Sequence, residues 1–340
     1  MATVALVQRA NGRHRSFYYE SFNRLPEITA VAVVDPEGAT FAEAQAAVRD
    51  KPLRTYPSLE AMTRAEDAAM AIVTFTAAES PLWIQRVLEA RLPALIEKPA
   101  CIDVADFARL VELAARRNLP LMLAMCNRTA PVVEDARRIV AQGGVGRLYA
   151  ARVLALADQA RIWRERTRDW TFHKADAAGG HLIFLGIHWL DALLHITQAR
   201  VREVQAFTGN VGGGPIDVED LATVNLRLEG GAQATVTSGY VLDADKQIDL
   251  SLWGADGWLR FDFNARRLEW YATHAAMRGV AQRTLTYDTT GGDYPTYVRE
   301  CLRACLGEVA PPITGPEALE LLKVIFAAYR SADTGATVKL

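Results

Sequence analysis

Cysteine is scarce in this chain of 340 residues: four in all, Cys101, Cys126, Cys301 and Cys305, with no CxxC pair among them. They lie mostly within apolar stretches, which points to core packing rather than to a disulfide framework or a zinc site; Cys301 and Cys305, four apart on one predicted helix face, fit a core at least as well as a metal pair. Charge of either sign is not in excess, 38 basic against 40 acidic residues for a net charge of -2, so there is no basic footprint for nucleic acid and no polybasic face for anionic lipid. Long hydrophobic runs are also missing at the amino terminus. Thr3-Val4-Ala5-Leu6-Val7 is interrupted by Gln8, Arg9 and Arg13 before a signal-peptide core or a membrane span is complete, and a cytoplasmic location is expected. The chain has no internal repeat and no low-complexity stretch. What remains as a ligand class is a small, neutral or weakly charged molecule.

Half the residues are hydrophobic, which over this length suits two domains with sizeable cores. In the first part, short apolar runs (Thr3 to Val7, Ile28 to Val34, Ala69 to Val73, Ala94 to Ile96, Pro120 to Ala124) read as buried strands. Between them, Phe41 to Val48, Leu82 to Ala90 and Val104 to Arg116 repeat apolar residues at helical spacing, as in Val104, Phe107, Leu110, Val111 and Leu113. Strand alternating with helix predicts a parallel sheet with right-handed crossovers. After about Arg147 the rhythm changes: Arg147 to Leu156, Val201 to Gly209, Leu221 to Leu228, Ala232 to Val241, Gln247 to Trp253 and Trp258 to Phe263 are strand-like, and Glu229-Gly230-Gly231 and Asp256-Gly257 signal hairpins. Three helical segments accompany this mostly antiparallel sheet: Gly180 to Thr197, Tyr294 to Leu306 and Pro316 to Arg330. The fold class predicted is therefore a Rossmann-like parallel domain over 1–124 and an open antiparallel α+β domain over 125–340, whose last helix (about 316–331) is expected to pack back near the first domain.

Glu97-Lys98-Pro99 follows the apolar run ending at Ile96. A Lys just past a buried parallel strand stands at the carboxyl edge of the sheet, where open α/β folds bind ligands, and Pro99 biases it away from helical backbone angles. A proton-transferring amine would be useful there, although a lone tripeptide is compatible with a solvated loop Lys.

The order of Val33-Val34-Asp35-Pro36, Glu97-Lys98-Pro99, Cys126-Asn127-Arg128, Gly179-Gly180, Gly186-Ile187-His188-Trp189-Leu190-Asp191 and Ala327-Ala328-Tyr329-Arg330-Ser331-Ala332 resembles the family of glucose-fructose oxidoreductase, inositol dehydrogenase and the rhizopine-catabolism oxidoreductases (Gfo/Idh/MocA) over nearly the whole chain. The resemblance implies a nicotinamide-dependent oxidoreductase acting on a sugar, cyclitol or similar polyol, assembled as a homo-oligomer, a dimer or tetramer, through the exposed face of the antiparallel sheet. It also implies that Lys98 and His188 handle the substrate proton. A partly desolvated amine beside a cationic ring has its pKa lowered, and an imidazole can share a proton near neutral pH.

Helical spacing adds a stripe of His181, Phe184, His188, Asp191 and His195. On that spacing His181 and His188 are expected in the substrate pocket with Asp191 behind them as an orienting partner; a shared metal is not expected, because residues seven apart lie two turns apart. Phe184 stands where many relatives carry an Asp, so His181, Arg164, Arg166 and Lys174 become candidates for gripping substrate. Asn127 and Arg128 follow the last parallel strand and are candidates for contact with nicotinamide, substrate or a structural carboxylate. Trp163, Arg164, Arg166, Arg168, Asp169 and Trp170 form an aromatic and basic cluster of the kind that caps a cleft.

The phosphate loop departs from the dinucleotide fingerprint. Gln8-Arg9-Ala10-Asn11-Gly12-Arg13 contains one glycine, where a tight turn close to pyrophosphate asks for more. Asn11 tolerates left-handed angles, and Arg9 and Arg13 can pair with phosphate. Asp35, roughly 20 residues past the loop, is expected to accept from ribose hydroxyls and so to favour NAD over NADP; Thr74, Glu97 and Lys98 complete the expected cofactor contacts. Three functions are compatible with these residues: an NAD-dependent dehydrogenase, a redox-neutral sugar-modifying enzyme with tightly held cofactor, supported by Phe184 and the extra His181, and a non-catalytic ligand sensor, supported by the eroded loop.

Overall fold

The computed structural model describes residues 2–158, 169–273, 283–289 and 291–340. The chain forms two compact units. The first comprises 1–125, 175–178 and 293–320, the second 126–174, 179–292 and 321–340.

The first unit is built on a six-stranded parallel sheet of β1 (Ala2–Gln8), β2 (Ile28–Val34), β3 (Leu53–Tyr56), β4 (Ala68–Thr74), β5 (Ala94–Ile96) and β6 (Leu121–Leu123), in the order β3-β2-β1-β4-β5-β6. The order reverses between β1 and β4, and at such a switch the connections leave in opposite directions and open a crevice at the carboxyl ends of the strands. The helices are α1 (Arg15–Arg24), α2 (Phe41–Ala47), α3 (Leu59–Ala65), α4 (Ser80–Glu89) and α5 (Val104–Arg117). Helix α5 shows how local sequence sets an element. Asp103 accepts from the Ala105 N–H at its start, Asn118 ends it in the left-handed conformation, and Phe107, Leu110 and Ala114 are its buried face. The short β3, α1 and α3 were not among the segments the apolar periodicity picked out. In each the buried positions are few or polar: β3 has no fully buried residue, and α1 buries Tyr18, Tyr19, Ser21 and Phe22.

Residues 293–320 were expected in the second domain and instead build the first. Helix α8 (Tyr294–Cys305; α6 and α7 belong to the second unit) buries Tyr297, Val298, Cys301 and Leu302, and the Tyr297 hydroxyl donates to the Leu123 carbonyl at the end of β6 (2.6 Å). Among the described residues no cysteine is in a disulfide.

The second unit holds α6 (Pro131–Ala141), α7 (Ile187–Thr197) and most of α9 (Gly315–Thr334) beside a nine-stranded sheet. Its strands are β7 (Leu148–Leu156), β8 (Val201–Gly209), β9 (Leu221–Leu228), β10 (Gln233–Gly239), β11 (Gln247–Gly254), β12 (Gly257–Asp262), β13 (Arg267–Ala272), β14 (Arg283–Thr286) and β15 (Val338–Lys339), in the order β14-β13-β12-β11-β7-β10-β9-β8-β15. Every pairing is antiparallel except β7 with β10. The β9–β10 hairpin turns at Gly230 (φ 81°) and Gly231 (φ 88°), angles that L side chains rarely adopt.

The predicted helix from Gly180 to Thr197 is two pieces. A π-helical turn covers Leu182–Gly186, and α7 begins at Ile187. A π turn inserts a residue into the helical period and rotates the residues before it relative to those after it, so the five-residue stripe is not one continuous face.

Phe107 is fully buried on α5. Phe107→Ala should destabilise the protein by about 3–5 kcal/mol, read as a lower urea midpoint at unchanged m-value.

Candidate active site

Glu97 and Lys98 follow β5 at the carboxyl edge of the parallel sheet, and both are 2 % exposed. The Glu97 carboxylate is held from several directions within the first unit. Its Oε1 accepts from the Tyr18 hydroxyl (2.6 Å) and the Tyr294 hydroxyl (2.9 Å); its Oε2 accepts from the Lys98 backbone N–H (3.1 Å) and lies 3.1 Å from His14 Nδ1. The Tyr294 hydroxyl is also 3.0 Å from His14 Nδ1, and its ring stacks on Phe17 at 5.0 Å and meets Tyr18 edge-on at 5.3 Å. Burial raises the carboxyl pKa, but the charge and hydrogen bond of His14, the charge of Lys98 and the Tyr18 hydroxyl outweigh it and pull Glu97 down to about 2. Glu97 is therefore an anion at neutral pH, and its neighbours fix the backbone from which the Lys98 side chain departs. His14 and Tyr18 were not identified from sequence, and Tyr294 only as the first residue of a predicted helix. The one available signal was a polar residue at the start of α1, and contact with residue 97 is not encoded in local spacing.

The loop between β1 and α1 explains its own composition. A Cβ on Gly12 would fall 2.4 Å from the Thr74 carbonyl oxygen, so only glycine allows this backbone to cross the end of β4, next to the sheet's switch point. Thr74 Oγ1 donates to the Arg13 carbonyl (2.7 Å), and one Arg15 Nη donates to the carbonyls of Arg9, Ala10 and Gly12 (3.2, 2.6 and 2.6 Å). The left-handed residue is His14 (φ 61°), not Asn11; Asn11 is exposed and donates to Glu79 Oε2 at 3.2 Å. Arg9 pairs with Glu37 (3.1 Å) and with Glu79, and its buried Nε has no hydrogen-bond partner among the described residues.

Gln8 and Asp35 are corrected by the structure. Gln8, expected on the cofactor side, turns inward: its Nε2 donates to the Tyr19 hydroxyl (2.9 Å) and to Thr40 Oγ1 (2.8 Å), and Thr40 Oγ1 donates on to Asp35 Oδ2 (2.8 Å). Asp35 is 0 % exposed and also accepts from the backbone N–H groups of Glu37 (3.0 Å) and Thr40 (2.8 Å). Its carboxylate closes the turn after β2, the role its position before Pro36 also allowed, and is not presented to a ribose.

In the second unit His188 is partly buried on the first turn of α7. Asp191, expected behind it as an orienting partner, is gripped by Arg128: Nε lies 2.9 and 3.2 Å from the two carboxylate oxygens and Nη2 2.7 Å from Oδ1, with both side chains buried. Arg128 thereby takes up the structural carboxylate that was one of its three expected roles. His181, expected in the substrate pocket, is 2 % exposed; its Nδ1 is 2.6 Å from Ser238 Oγ and its ring stands edge-on to Tyr240 at 4.5 Å. Asn127 Oδ1 accepts from the Gly292 N–H at 3.5 Å, and Phe184 packs edge-on to Trp170. Arg164 and Arg166, with Trp163 and Arg168, lie outside the described residues. The start of the helical segment is tied down by Glu219, which sequence reading missed. It accepts from the N–H groups of Gly180 (2.5 Å) and Leu182 (3.0 Å) and from the Tyr329 hydroxyl (3.0 Å). A Cβ on Gly180 would lie 1.8 Å from the Glu219 carbonyl oxygen.

With this geometry in place, the comparisons decide the family. Residues 10–125 match the oxidoreductase family model with an NAD-binding Rossmann fold, and residues 133–260 match the GFO/IDH/MocA C-terminal domain. The chain belongs to the GFO/IDH/MocA oxidoreductase family. It is 26 % identical over 290 residues to the trans-1,2-dihydrobenzene-1,2-diol dehydrogenase of Mus musculus, covering 82 % of this chain and 81 % of that protein. It is 26 % identical over 360 residues to the D-apiose dehydrogenase of Paraburkholderia graminis, covering 100 % and 92 %. Among solved structures, the WlbA dehydrogenase from Bordetella pertussis in complex with NADH and UDP-GlcNAcA shares the fold with a TM-score of 0.85 at 21 % identity, over 100 % of this chain and 98 % of that one. GenD2 from gentamicin A biosynthesis, in complex with NAD, shares it with a TM-score of 0.81 at 22 % identity, over 100 % and 96 %. The first unit is thus an NAD-binding Rossmann domain, and the protein is an oxidoreductase. The residues present fit a dinucleotide: the glycine cradle at Gly12 abuts the strand switch, and a loop Arg keeps an unsatisfied donor.

The charge and hydrogen bond of His14 and its other donors hold the Glu97 carboxyl at about 2, below its ordinary value of 4.5. A depressed carboxyl adds stability that is present above the unfolded pKa and lost as pH falls through the folded one. Glu97→Gln should therefore be less stable than the parent at pH 7 by about 3 kcal/mol, with the gap closing between pH 4.5 and 2 in denaturation curves.

Proposed function

We propose that the protein is an NAD-dependent dehydrogenase of a sugar, cyclitol or related polyol, with Lys98 as the proton acceptor for the substrate hydroxyl and His188 sharing that proton. The observation that carries this reading is the Glu97–Lys98 pair at the carboxyl edge of the parallel sheet, with the Glu97 carboxylate saturated by His14, Tyr18, Tyr294 and the Lys98 N–H. A saturated neighbour carboxylate does not itself compete for the substrate proton, and it restrains the chain at the base. Loss of hydride from carbon gives a carbonyl only when the hydroxyl proton also leaves, and a positioned amine in its neutral form, favoured beside the cationic nicotinamide ring, supplies the acceptor. Bound NAD supplies the hydride acceptor. Gly12 and the backbone of the 9–13 loop would hold its pyrophosphate, with Arg13 as counter-charge. The dehydrogenases of a dihydrodiol and of D-apiose among the relatives support a substrate with vicinal hydroxyls.

The redox-neutral alternative drew on Phe184 at the position where many relatives carry an Asp and on the extra His181, and Phe184 packs edge-on to Trp170. With that imidazole engaged by Ser238 and Tyr240 inside the second unit, no observation favours it over net oxidation.

We further propose a cytoplasmic homo-oligomer that pairs through the outer face of the nine-stranded sheet. Phe207 (71 % exposed), Trp253 and Tyr271 are exposed aromatics on its strands, and Trp253 and Tyr271 share one face through Trp258. Phe207→Asp with Trp253→Asp should convert the sedimenting species to a monomer; an unchanged sedimentation coefficient removes this face from the assembly.

Lys98→Met should lower kcat with a responsive polyol by roughly 10²–10⁴-fold while NADH still quenches tryptophan fluorescence at nearly the parent concentration. Turnover at the parent rate removes Lys98 from the chemistry.

A further inference from the structure

Discrimination between NAD and NADP falls at the ribose 2' position, where a carboxylate past the second strand accepts from a hydroxyl and repels a phosphate. Asp35 occupies the expected place in sequence. It is fully buried, and its oxygens serve Glu37 N–H, Thr40 N–H and Thr40 Oγ1, the last of these tied to the inward-facing Gln8. Two residues on, Glu37 has a side chain 56 % exposed, with a carboxylate oxygen 3.1 Å from Arg9 Nη2. Arg9 is on the phosphate loop, and its other terminal nitrogen goes to Glu79.

We infer that Glu37, acting with Arg9, is the residue that makes this protein select NAD over NADP. The inference deepens the cofactor assignment and rests on it. An exposed carboxylate beside the loop adds like-charge repulsion against a 2'-phosphate, and by pairing with Arg9 Nη2 it occupies a charge-assisted donor that would otherwise reach that phosphate. Removing the Glu37 charge lifts the repulsion and frees Arg9 Nη2, while Nη1 stays with Glu79. Asp35 contributes to the turn and not to the choice.

The test is equilibrium binding of NADH and NADPH to the apo protein, followed by cofactor fluorescence, together with the melting temperature of each variant. Glu37→Gln should tighten NADPH by about tenfold or more while NADH changes far less and the melting temperature holds. Adding Arg9→Ala to Glu37→Gln should cancel the gain for NADPH. Asp35→Asn should lower the melting temperature and leave the ratio of the two dissociation constants as in the parent. An unchanged ratio in Glu37→Gln, or a stable Asp35→Asn protein that now prefers NADPH, overturns the inference. A parent protein that binds neither dinucleotide overturns the cofactor assignment together with it, whereas a parent that binds NADH with an unmoved ratio in Glu37→Gln overturns the inference alone.

Discussion

A carboxylate taken out of water at the carboxyl edge of a parallel sheet must either lose its charge or be met by donors on all sides. Glu97 is met on all sides. His14 comes from the loop after β1, Tyr18 from α1, the Lys98 N–H from its own segment, and Tyr294 from a helix nearly two hundred residues further along. Each of these groups is constrained by the need to reach one pair of oxygens. The same anion therefore orders the entry to the first helix, recruits α8 into the first unit and restrains the backbone at Lys98. Breaking a buried pair by removing one partner leaves an uncompensated charge, which is why the cluster acts as a unit.

The phosphate loop shows a second constraint, one of space. A glycine-rich fingerprint stands for several separate needs, and this loop retains the one that cannot be met otherwise, the close approach of Gly12 to Thr74. At the first position of the fingerprint a side chain is tolerated because it points inward. The Gln8 amide links Tyr19, Thr40 and, through Thr40, Asp35, so the substitution stiffens the turn after β2. An apparent erosion of the motif is a rebuilt hydrogen-bond network, and it weakens the sensor reading that rested on the loop alone.

In the second unit the start of the helical segment is anchored by acceptors. Glu219 receives two backbone N–H groups and the Tyr329 hydroxyl, and burial holds its pKa above the ordinary value against those donors. One turn past His188, Asp191 is locked to Arg128. These two anchors bracket the π turn and the residue proposed to share the proton, so the unusual helical register is supported at both ends. π turns are commonly found where function requires a side chain to leave the regular helical face.

Apolar periodicity in the sequence by itself determined the parallel and antiparallel halves: β2, β5, β8 and β9 match the sequence reading to the residue, and α5 matches to within one. In β8 and β9 burial alternates with the backbone's own period, whereas β5 and the end of β2 are short runs buried without a break, and both patterns are properties of neighbours along the chain. Lys98, too, was placed at a strand end by local sequence. Tertiary structure alone decided the partners of charged groups. That Asp35 closes its own turn, that Asp191 meets Arg128, that His181 meets Ser238, and that residues 293–320 complete the first unit all depend on which groups the folded chain brings together. The physical reason is that hydrophobic burial is non-directional and is recorded in composition and spacing, whereas a buried charge or hydrogen bond needs one particular partner at about 3 Å, and only the folded chain selects it.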